Sequence, residues 1–354
     1  MSKRNLIIFL VLAPMLALVM SGAQVYYAIY IWAYNGQETV FTIRPGDTFG
    51  SINYRLDESK MIYSARLFHR FVKFNNKLTS FKAGQYNMTP GMTMVDTLDL
   101  LTSGKSITTK VTIPEGRNLF QIAEILESNG ITKAEEFIKY AKDEAFIQKL
   151  GIPSHRAEGY LYPETYSFQE NTPAPLVIKT MVNLFNKQTE GLDFSKQKLS
   201  KHEVIILASI VEKETGAKFE RPAIAGVFHN RLKKRMRLQS DPTTIYGIYE
   251  NYNGNLRKRH LLEKTPYNTY KIPALPVGPI SNPGLESIKA VLNPEKHNYL
   301  YFVSKNDGTH IFSETYSQHR RAVNKWQKTR SIEKVKVGVI LSNKDDHETL
   351  VMLQ

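Results

Sequence analysis

The sequence contains no cysteine. Disulfides, thiolate nucleophiles, iron–sulfur clusters and zinc sites with Cys ligands are therefore excluded. The sequence also lacks an HExxH pair, an acidic calcium loop, a Walker loop and a GxSxG nucleophile elbow. We therefore expect an activity that uses no metal and no cofactor and is carried by the protein's own side chains.

Acidic residues are scarce relative to basic ones. Lys and Arg number 47 and Asp and Glu 33, so the formal net charge is +14. Such a balance favours an anionic partner, such as nucleic acid, membrane head groups or an acidic polymer, without choosing among them. With 354 residues, 42% of them hydrophobic, the chain is long enough for a sizeable core and more than one domain.

Charge is absent from the N-terminal segment Asn5–Gln37, which follows two basic residues. About 20 apolar residues suffice to span a bilayer as a helix. We therefore predict a transmembrane helix over residues 6–34, with residues 1–5 in the cytoplasm. A cleaved signal peptide is the alternative, because Ser21-Gly22-Ala23 resembles a cleavage site, but the aromatic run after it favours an anchor. A single-pass inner-membrane protein follows, mostly periplasmic and without access to nucleic acid.

Residues 38–105 are predicted to form a small mixed module. The stretch Thr42–Thr48, a strand end followed by Gly-Asp-Thr, resembles the start of a LysM carbohydrate-binding module. Any small α+β domain is the alternative for this stretch. The predicted elements are a strand at Thr39–Ile43, a helix capped by Thr48, a helix from Ser64 to Asn75, a strand at Gly84–Met88 and a helix from Thr93 to about Gly104.

A second domain is predicted over residues 106–330, followed by a tail, residues 331–354, of unknown role. The central feature of the second domain is an apolar helix capped by Ser200. At ~100° per residue Glu214 falls near the edge of the apolar face, whereas Glu212 lies about 200° around from it. A carboxyl bordered by apolar side chains is protonated more readily than in water, which suits a general acid. Periodicity alone favours the alternative, in which Glu214 is a helix-end residue paired with a nearby Arg or Lys.

The loops after this helix are polar, aromatic and rich in proline. Uncharged hydrogen-bonding side chains suit a sugar-binding surface, and prolines hold a loop in one shape. We expect the loop Pro276–Pro283 to be open and to form part of a through-going groove. The basic run Arg231–Arg237 is interpreted as a solvated face, or as a contact for anionic lipids and acidic peptides.

Several blocks of sequence, taken in order, resemble the YceG-like family of membrane-anchored endolytic murein transglycosylases. The resemblance extends from the anchor to about residue 330. It implies an α+β protein with an N-terminal transmembrane helix, a LysM-like subdomain and a larger mixed α/β catalytic domain. Ala274 and Val277 depart from a Gly and a Pro common in the family's proline loop. The matching blocks are Glu158–Tyr166, Glu212-Lys213-Glu214, Arg237–Thr243, Tyr267–Tyr270, Gly278–Ile280 and Tyr299–Val303.

The resemblance assigns the catalytic role to Glu214, the second glutamate of the family's Glu-Lys-Glu. It implies that Glu214 protonates the oxygen between N-acetylmuramic acid and N-acetylglucosamine, and then takes the proton of the muramoyl C6 hydroxyl as it closes onto C1. Nascent glycan strands would end in 1,6-anhydro sugars, which terminates their elongation. Peptidoglycan is the implied partner, and penicillin-binding cell-wall synthases are candidates. The residues predicted to line the cleft, each also compatible with a structural role, are Glu158, Glu164, Gln239, Ser240, Asp241, Tyr267 and Asn268.

Two other functions fit parts of the sequence. A non-catalytic peptidoglycan-binding scaffold would use the LysM-like module and would not need the proton chemistry of Glu214. Ser195–Lys198 has the SxxK spacing of penicillin-binding proteins, but the accompanying SDN and KTG elements are absent. The transglycosylase therefore ranks first, the scaffold second and the SxxK enzyme last.

Overall fold

The computed structural model describes residues 3–196 and 198–328. The tail also contains a strand-like run, Val335–Leu341, which lies outside the described residues. The chain divides into two compact units. The first comprises the chain up to Thr109 together with Ser167–Glu170, and the second comprises Lys110–Tyr166 and the chain from Asn171 onward. The return of a short segment to the first unit is a feature that sequence analysis does not predict.

The helices and strands are short apart from the first helix and three helices of the second unit. The helices are α1 (Lys3–Tyr26), α2 (Phe49–Glu58), α3 (Ala65–Phe74), α4 (Met94–Ser103), α5 (Leu119–Ser128), α6 (Ala134–Ala141), α7 (Glu144–Lys149), α8 (Ala174–Thr189), α9 (Lys201–Glu214), α10 (Arg221–Lys233), α11 (Asp241–Gly247), α12 (Lys258–Leu262), α13 (Leu285–Leu292) and α14 (Tyr316–Val323). The strands are β1 (Thr39–Ile43), β2 (Gly84–Met88), β3 (Thr109–Thr112), β4 (Thr165–Phe168), β5 (Tyr301–Ser304) and β6 (His310–Ser313).

The N-terminal helix α1 continues as a π-helical turn, Tyr27–Ile31. The stretch Val11–Ile31 is long and apolar enough to cross a membrane. Most of its side chains are exposed, but Ala28 and Ile29 are buried where the turn packs against α4. The end of the apolar segment is therefore built into the first unit.

The first unit has the order β1-α2-α3-β2-α4, with β1 and β2 paired antiparallel so that Ile43 lies opposite Gly84. Capping residues set its helix ends. The Thr48 side chain accepts a hydrogen bond from Ser51 at the start of α2, and Thr93 forms a capping box at α4. Gly104 ends α4 in the left-handed region, at φ 77°. The strand and helix positions predicted for this unit are confirmed.

The second unit is built around α9. Its start is fixed by a capping box in which Ser200 accepts from the Glu203 amide while the Glu203 carboxylate accepts from Ser200. Every residue of Val204–Val211 is buried, and α9 packs against α10, α11 and α13. A helix that is apolar on all sides belongs in the interior. The expectation of one buried face is therefore wrong for this helix, which meets solvent only near its ends.

Apart from the exposed Val277, the proline-rich loop is buried rather than open, which corrects the expectation for Pro276–Pro283. Its backbone is hydrogen-bonded to the second unit's interior: the Ile280 amide donates to the Ser209 hydroxyl at 3.0 Å, and the Asn282 amide donates to the Arg117 carbonyl at 2.9 Å. The backbone at Gly159 lies very close to this loop. Gly159 has a left-handed backbone, φ 87°, and a Cβ atom there would lie 2.5 Å from Pro279. Buried backbone groups need such partners, so the loop is a structural strap.

Candidate active site

Glu214 is the last residue of α9, at the point where the buried helix reaches the surface. Its side chain is half-buried. Burial raises the pKa of Glu214 to about 7. The position adds to this effect, because the carbonyl end of a helix disfavours a negative charge. At neutral pH a substantial fraction of this carboxyl carries a proton.

A cavity of about 660 Å³ opens at Glu214. Two of the predicted site residues, Gln239 and Asp241, line it together with Glu214. Most of the other side chains around it are aromatic, basic or hydroxyl-bearing, and a few are aliphatic, a composition that suits a polar ligand with apolar ring faces. They include Arg231, Tyr270, Tyr301, Ser304, His310, Tyr316 and His319.

Two neighbours act in opposite directions on the Glu214 carboxyl. The buried Ser240 hydroxyl has no other hydrogen-bond partner among the described residues, and its interaction with Glu214 lowers the pKa of that carboxyl. The charge of Asp241 raises the same pKa. Asp241 is itself held by the Tyr270 hydroxyl, which donates to its carboxylate at 2.6 Å. Burial therefore remains the dominant influence on Glu214.

Arg231 is buried, which corrects the interpretation of the basic run as a solvated face; the rest of that run is exposed or half-buried. Its guanidinium donates to the carbonyls of Leu300 at 2.6 Å and Leu238 at 2.7 Å, and lies over the Tyr301 ring at 5.3 Å. Its charge lowers the pKa of Glu214. Arg231 thus ties β5 to the segment that carries Gln239.

Glu212 faces a different environment from Glu214, as the helix geometry predicts. Its carboxylate pairs with Arg221 at 2.7 Å and accepts hydrogen bonds from the Gly284 amide at 3.0 Å and the Ser287 hydroxyl at 2.7 Å. The carboxylate of Glu212 is therefore paired with a cation, Arg221. All its partners are protein groups, so Glu212 anchors α13 to α9.

Glu158 does not line the Glu214 cavity among the described residues. It is 1% exposed and accepts hydrogen bonds from the Leu119 amide at 3.0 Å, the Tyr246 hydroxyl at 2.9 Å and the Asn282 side chain at 2.7 Å. Burial raises its pKa to about 7, even though these bonds oppose the shift. The expected cleft contact of Glu158 is thus replaced by an internal one, because its carboxyl joins α5, α11 and the proline loop.

Three further predicted residues also lie elsewhere. Asn268 is fully buried, donates to carbonyls at the end of α12, including that of Glu263 at 2.7 Å, and accepts from the Thr244 hydroxyl at 3.0 Å. The Tyr267 ring packs against Tyr246 with 4.7 Å between centroids. Glu164 is exposed and accepts from the adjacent Thr165 amide. None of the three lines the Glu214 cavity in the described part of the chain.

Sequence reasoning missed several residues of the cavity. Tyr270 and Tyr301 lie inside blocks that carry the family resemblance, so proximity to those blocks was the available signal. No sequence signal pointed to His319, because it belongs to α14, a polar helix without a recognisable motif. Its ring stacks on Tyr301 with 5.2 Å between centroids, and burial lowers its pKa, so the imidazole is neutral near pH 7.

The SxxK alternative gains no support from the surroundings of Ser195. Its hydroxyl donates to Asp193 at 2.6 Å on an exposed turn. A nucleophilic serine needs a base that takes its proton, and a carboxylate on the same exposed turn is a usual capping partner instead. In the described ranges no group of three or more His, Asp and Glu side chains is placed to hold a metal ion.

The Glu214 cavity is therefore lined by a half-buried carboxyl whose pKa of about 7 lets it exchange a proton near neutral pH. Such a group acts as a general acid when protonated and as a general base when ionised. The second carboxylate of the cavity, Asp241, is engaged by Tyr270. The geometry fits a reaction in which one residue both gives and takes a proton.

Comparisons with known proteins identify the family to which this chain is similar. The model of the YceG-like family matches residues 41–325. A Bacillus subtilis (strain 168) protein named "Endolytic murein transglycosylase" is 34% identical over 302 residues, which span 80% of this chain and 83% of that protein. A Streptococcus pneumoniae serotype 2 protein of the same name is 31% identical over 79% of this chain and 57% of its own length. A crystal structure of a yceG-like protein from Listeria monocytogenes aligns with a TM-score of 0.56 and 34% identity, over 80% of this chain and 99% of that one.

Proposed function

The chain belongs to the YceG-like family, and we propose that it is an endolytic murein transglycosylase. It cuts nascent glycan strands between N-acetylmuramic acid and N-acetylglucosamine, leaves 1,6-anhydro-N-acetylmuramic acid at the new end, and so terminates elongation. The single observation that carries the proposal is Glu214, a carboxyl with a pKa of about 7 that opens onto a large cavity. The names of the relatives at 34% and 31% identity support the same reaction.

The proposed reaction uses Glu214 twice. The protonated carboxyl gives its proton to the glycosidic oxygen, and the bond from that oxygen to the muramoyl C1 breaks as N-acetylglucosamine leaves. The Glu214 carboxylate then takes the proton of the C6 hydroxyl, whose oxygen bonds to C1. The nucleophile belongs to the substrate, so no positioned water and no second carboxylate are required. Hydrolytic glycosidases, in contrast, normally use two carboxyls.

The surroundings of Glu214 fit the acid step. Asp241 raises the pKa of Glu214, which keeps the proton on the carboxyl at neutral pH. Gln239 holds an uncommon left-handed backbone, φ 49°, and its amide donates to the Thr269 carbonyl. Strained residues cluster at functional sites, and in our proposal Gln239 contacts the sugar. The reaction slows as pH rises through about 7, because Glu214 loses the proton it must donate.

The first unit and the N-terminal helix complete the proposal. The unit's order of strand, two helices and strand supports a LysM-like peptidoglycan-binding module. The apolar stretch Val11–Ile31 supports a single-pass anchor in the inner membrane, with the N-terminus cytoplasmic and the remaining chain periplasmic. This location would bring the site to strands as they leave a membrane-bound cell-wall synthase, the partner we propose.

A test of the reaction uses the full-length protein in detergent and purified glycan strands. Mass spectrometry of the digest should reveal muramoyl ends one water lighter than hydrolytic ends, and no label from heavy-oxygen water. Fragments of several disaccharides should appear first, as internal cleavage requires. Reducing muramic ends that carry the label would replace the proposal with a hydrolase. Strand binding without cleavage by a folded protein would favour the non-catalytic scaffold.

A further inference from the structure

A second cavity, of about 310 Å³, lies in the second unit beside the Glu214 cavity. Lys213 lines the second cavity and Glu214 the first, and likewise Pro242 lines the second and Asp241 the first. Neighbouring residues have Cα atoms only ~3.8 Å apart. The two cavities therefore lie on the two sides of one ridge, formed by the end of α9 and the start of α11.

The second cavity presents cationic and neutral donors. The Lys213 ammonium donates to the Gly116 carbonyl at 3.2 Å, which leaves further N–H groups for a ligand. Arg117 is exposed and lies between Gly116 and Asn118, which both line the cavity, and its charge acts on Lys213. The Gln121 side-chain oxygen accepts from the Asn118 amide in the capping box of α5, which leaves the Gln121 NH₂ group as a donor.

The carboxyls close to Lys213 do not neutralise this cationic surface. Glu212 is committed to Arg221, and Glu158, with its pKa of about 7, is only partly ionised. Burial is the main cause that lowers the pKa of Lys213, followed by the charge of Arg117. An anion in the cavity would offset both effects.

One wall of the second cavity is aromatic. The Tyr249 ring lines it and stacks on Phe120, with 5.0 Å between centroids and 13° between planes. A flat ring stacked in this way offers an apolar face to a sugar, while the cations beside it offer charge to an acid group. The cavity is therefore suited to a sugar that carries a carboxylate.

We propose that the second cavity holds the substrate on the far side of the scissile bond, with Lys213 and Arg117 contacting a carboxylate of the muramoyl peptide stem. This inference rests on the proposed function, since a strand cut internally has sugars on both sides of the ridge. It adds that the enzyme reads the acidic stem and not the glycan alone.

The test pairs a substitution with a matched change in the substrate. Initial cleavage rates of the wild type and Lys213→Met are measured on peptide-bearing strands and on the same strands with carboxylates amidated by a carbodiimide and ammonium chloride. Charge-assisted contacts are strong, so we expect roughly a tenfold loss of kcat/KM for either change alone and little further loss for both together. Lys213→Arg should retain most of the discrimination.

Other outcomes overturn one proposal or the other. If Lys213→Met loses the same factor on both substrates, Lys213 does not read the carboxylate and the inference is wrong. If wild type cleaves neither substrate, the proposed function fails instead. Lys179→Met, which removes an exposed cation from α8, is the matched control and should cleave both substrates like the wild type.

Discussion

The region around Glu214 and the region around Glu158 each contain a carboxyl with a raised pKa, but only the first carboxyl is accessible to a ligand. Burial raises the pKa of each to about 7. Glu158 is 1% exposed and bonded to three protein donors, whereas Glu214 opens onto a cavity of about 660 Å³. A perturbed pKa marks a functional candidate only with some probability. In our proposal, access to a ligand, and not the pKa, separates the acid catalyst Glu214 from the structural link Glu158.

Glu214→Gln should give the largest effect and would break the comparison if it did not. The variant keeps the side chain's shape but neither gives nor takes a proton. The cleavage rate should therefore fall by about 10²-fold to 10⁴-fold, the usual contribution of general acid–base catalysis. Circular dichroism and thermal unfolding should stay close to wild type. Glu136→Gln, an exposed acid on α6, is the control and should cleave normally.

Glu212→Gln tests the other carboxylate at the end of α9, which is bonded to protein groups and does not contact a ligand in our proposal. Removing its charge leaves the buried Arg221 with Glu115 as its remaining ion-pair partner among the described residues. Breaking a buried ion pair costs about 3 kcal/mol of unfolding free energy. Chemical denaturation should detect this loss, while the activity per folded molecule should remain substantial. An inactive but stable Glu212→Gln protein would contradict our assignment of the two glutamates.

Glu158→Gln should weaken the fold without stopping the reaction. The amide nitrogen would face donors from Leu119, Tyr246 or Asn282, so one buried hydrogen bond becomes a clash of donors. The expected cost is about 1–3 kcal/mol of unfolding free energy. Urea unfolding at pH 5 and at pH 8 tests in which direction this cost changes with pH. Because its folded pKa is raised, Glu158 stabilises the fold most at low pH, and the difference between wild type and variant should shrink as pH rises through about 7.

Asp241→Asn should produce the smallest change. The charge of Asp241 raises the pKa of Glu214, so its removal should lower that pKa. The alkaline limb of the pH–rate profile should therefore move to lower pH, by less than about one unit for a single charge. Asn still accepts the Tyr270 hydrogen bond. A limb that moves to higher pH would show that Asp241 acts on another group.

Local signals predicted the first unit well. The caps at Thr48 and Thr93 and the left-handed Gly104 mark helix ends through contacts within a few residues, which a sequence pattern records. The pairing of β3 with β4 was not predictable in this way, since the Thr112 and Thr165 hydroxyls that meet at 2.8 Å are 53 positions apart. Short strands with distant partners carry little local information.

The candidate site was predictable only in part, for a similar reason. Glu214 stands out through its helix position and the family resemblance. Loop residues such as Asn268 look like ligand contacts because polar loops bind ligands and also satisfy buried backbone, and sequence does not separate the two. Arg231 and His319 reach the cavity because α10, β5 and α14 pack together, which no periodicity encodes.

The most direct test of the central claim is the pH dependence of cleavage in Glu158→Gln compared with wild type. Both proteins contain Glu214, the accessible carboxyl, but the variant lacks the other group that titrates near pH 7. We predict that kcat/KM falls with an apparent pKa of about 7 in both proteins, because that limb belongs to Glu214. Loss of the limb in Glu158→Gln, with rates that stay level above pH 7, would assign the catalytic proton to Glu158 and contradict the account.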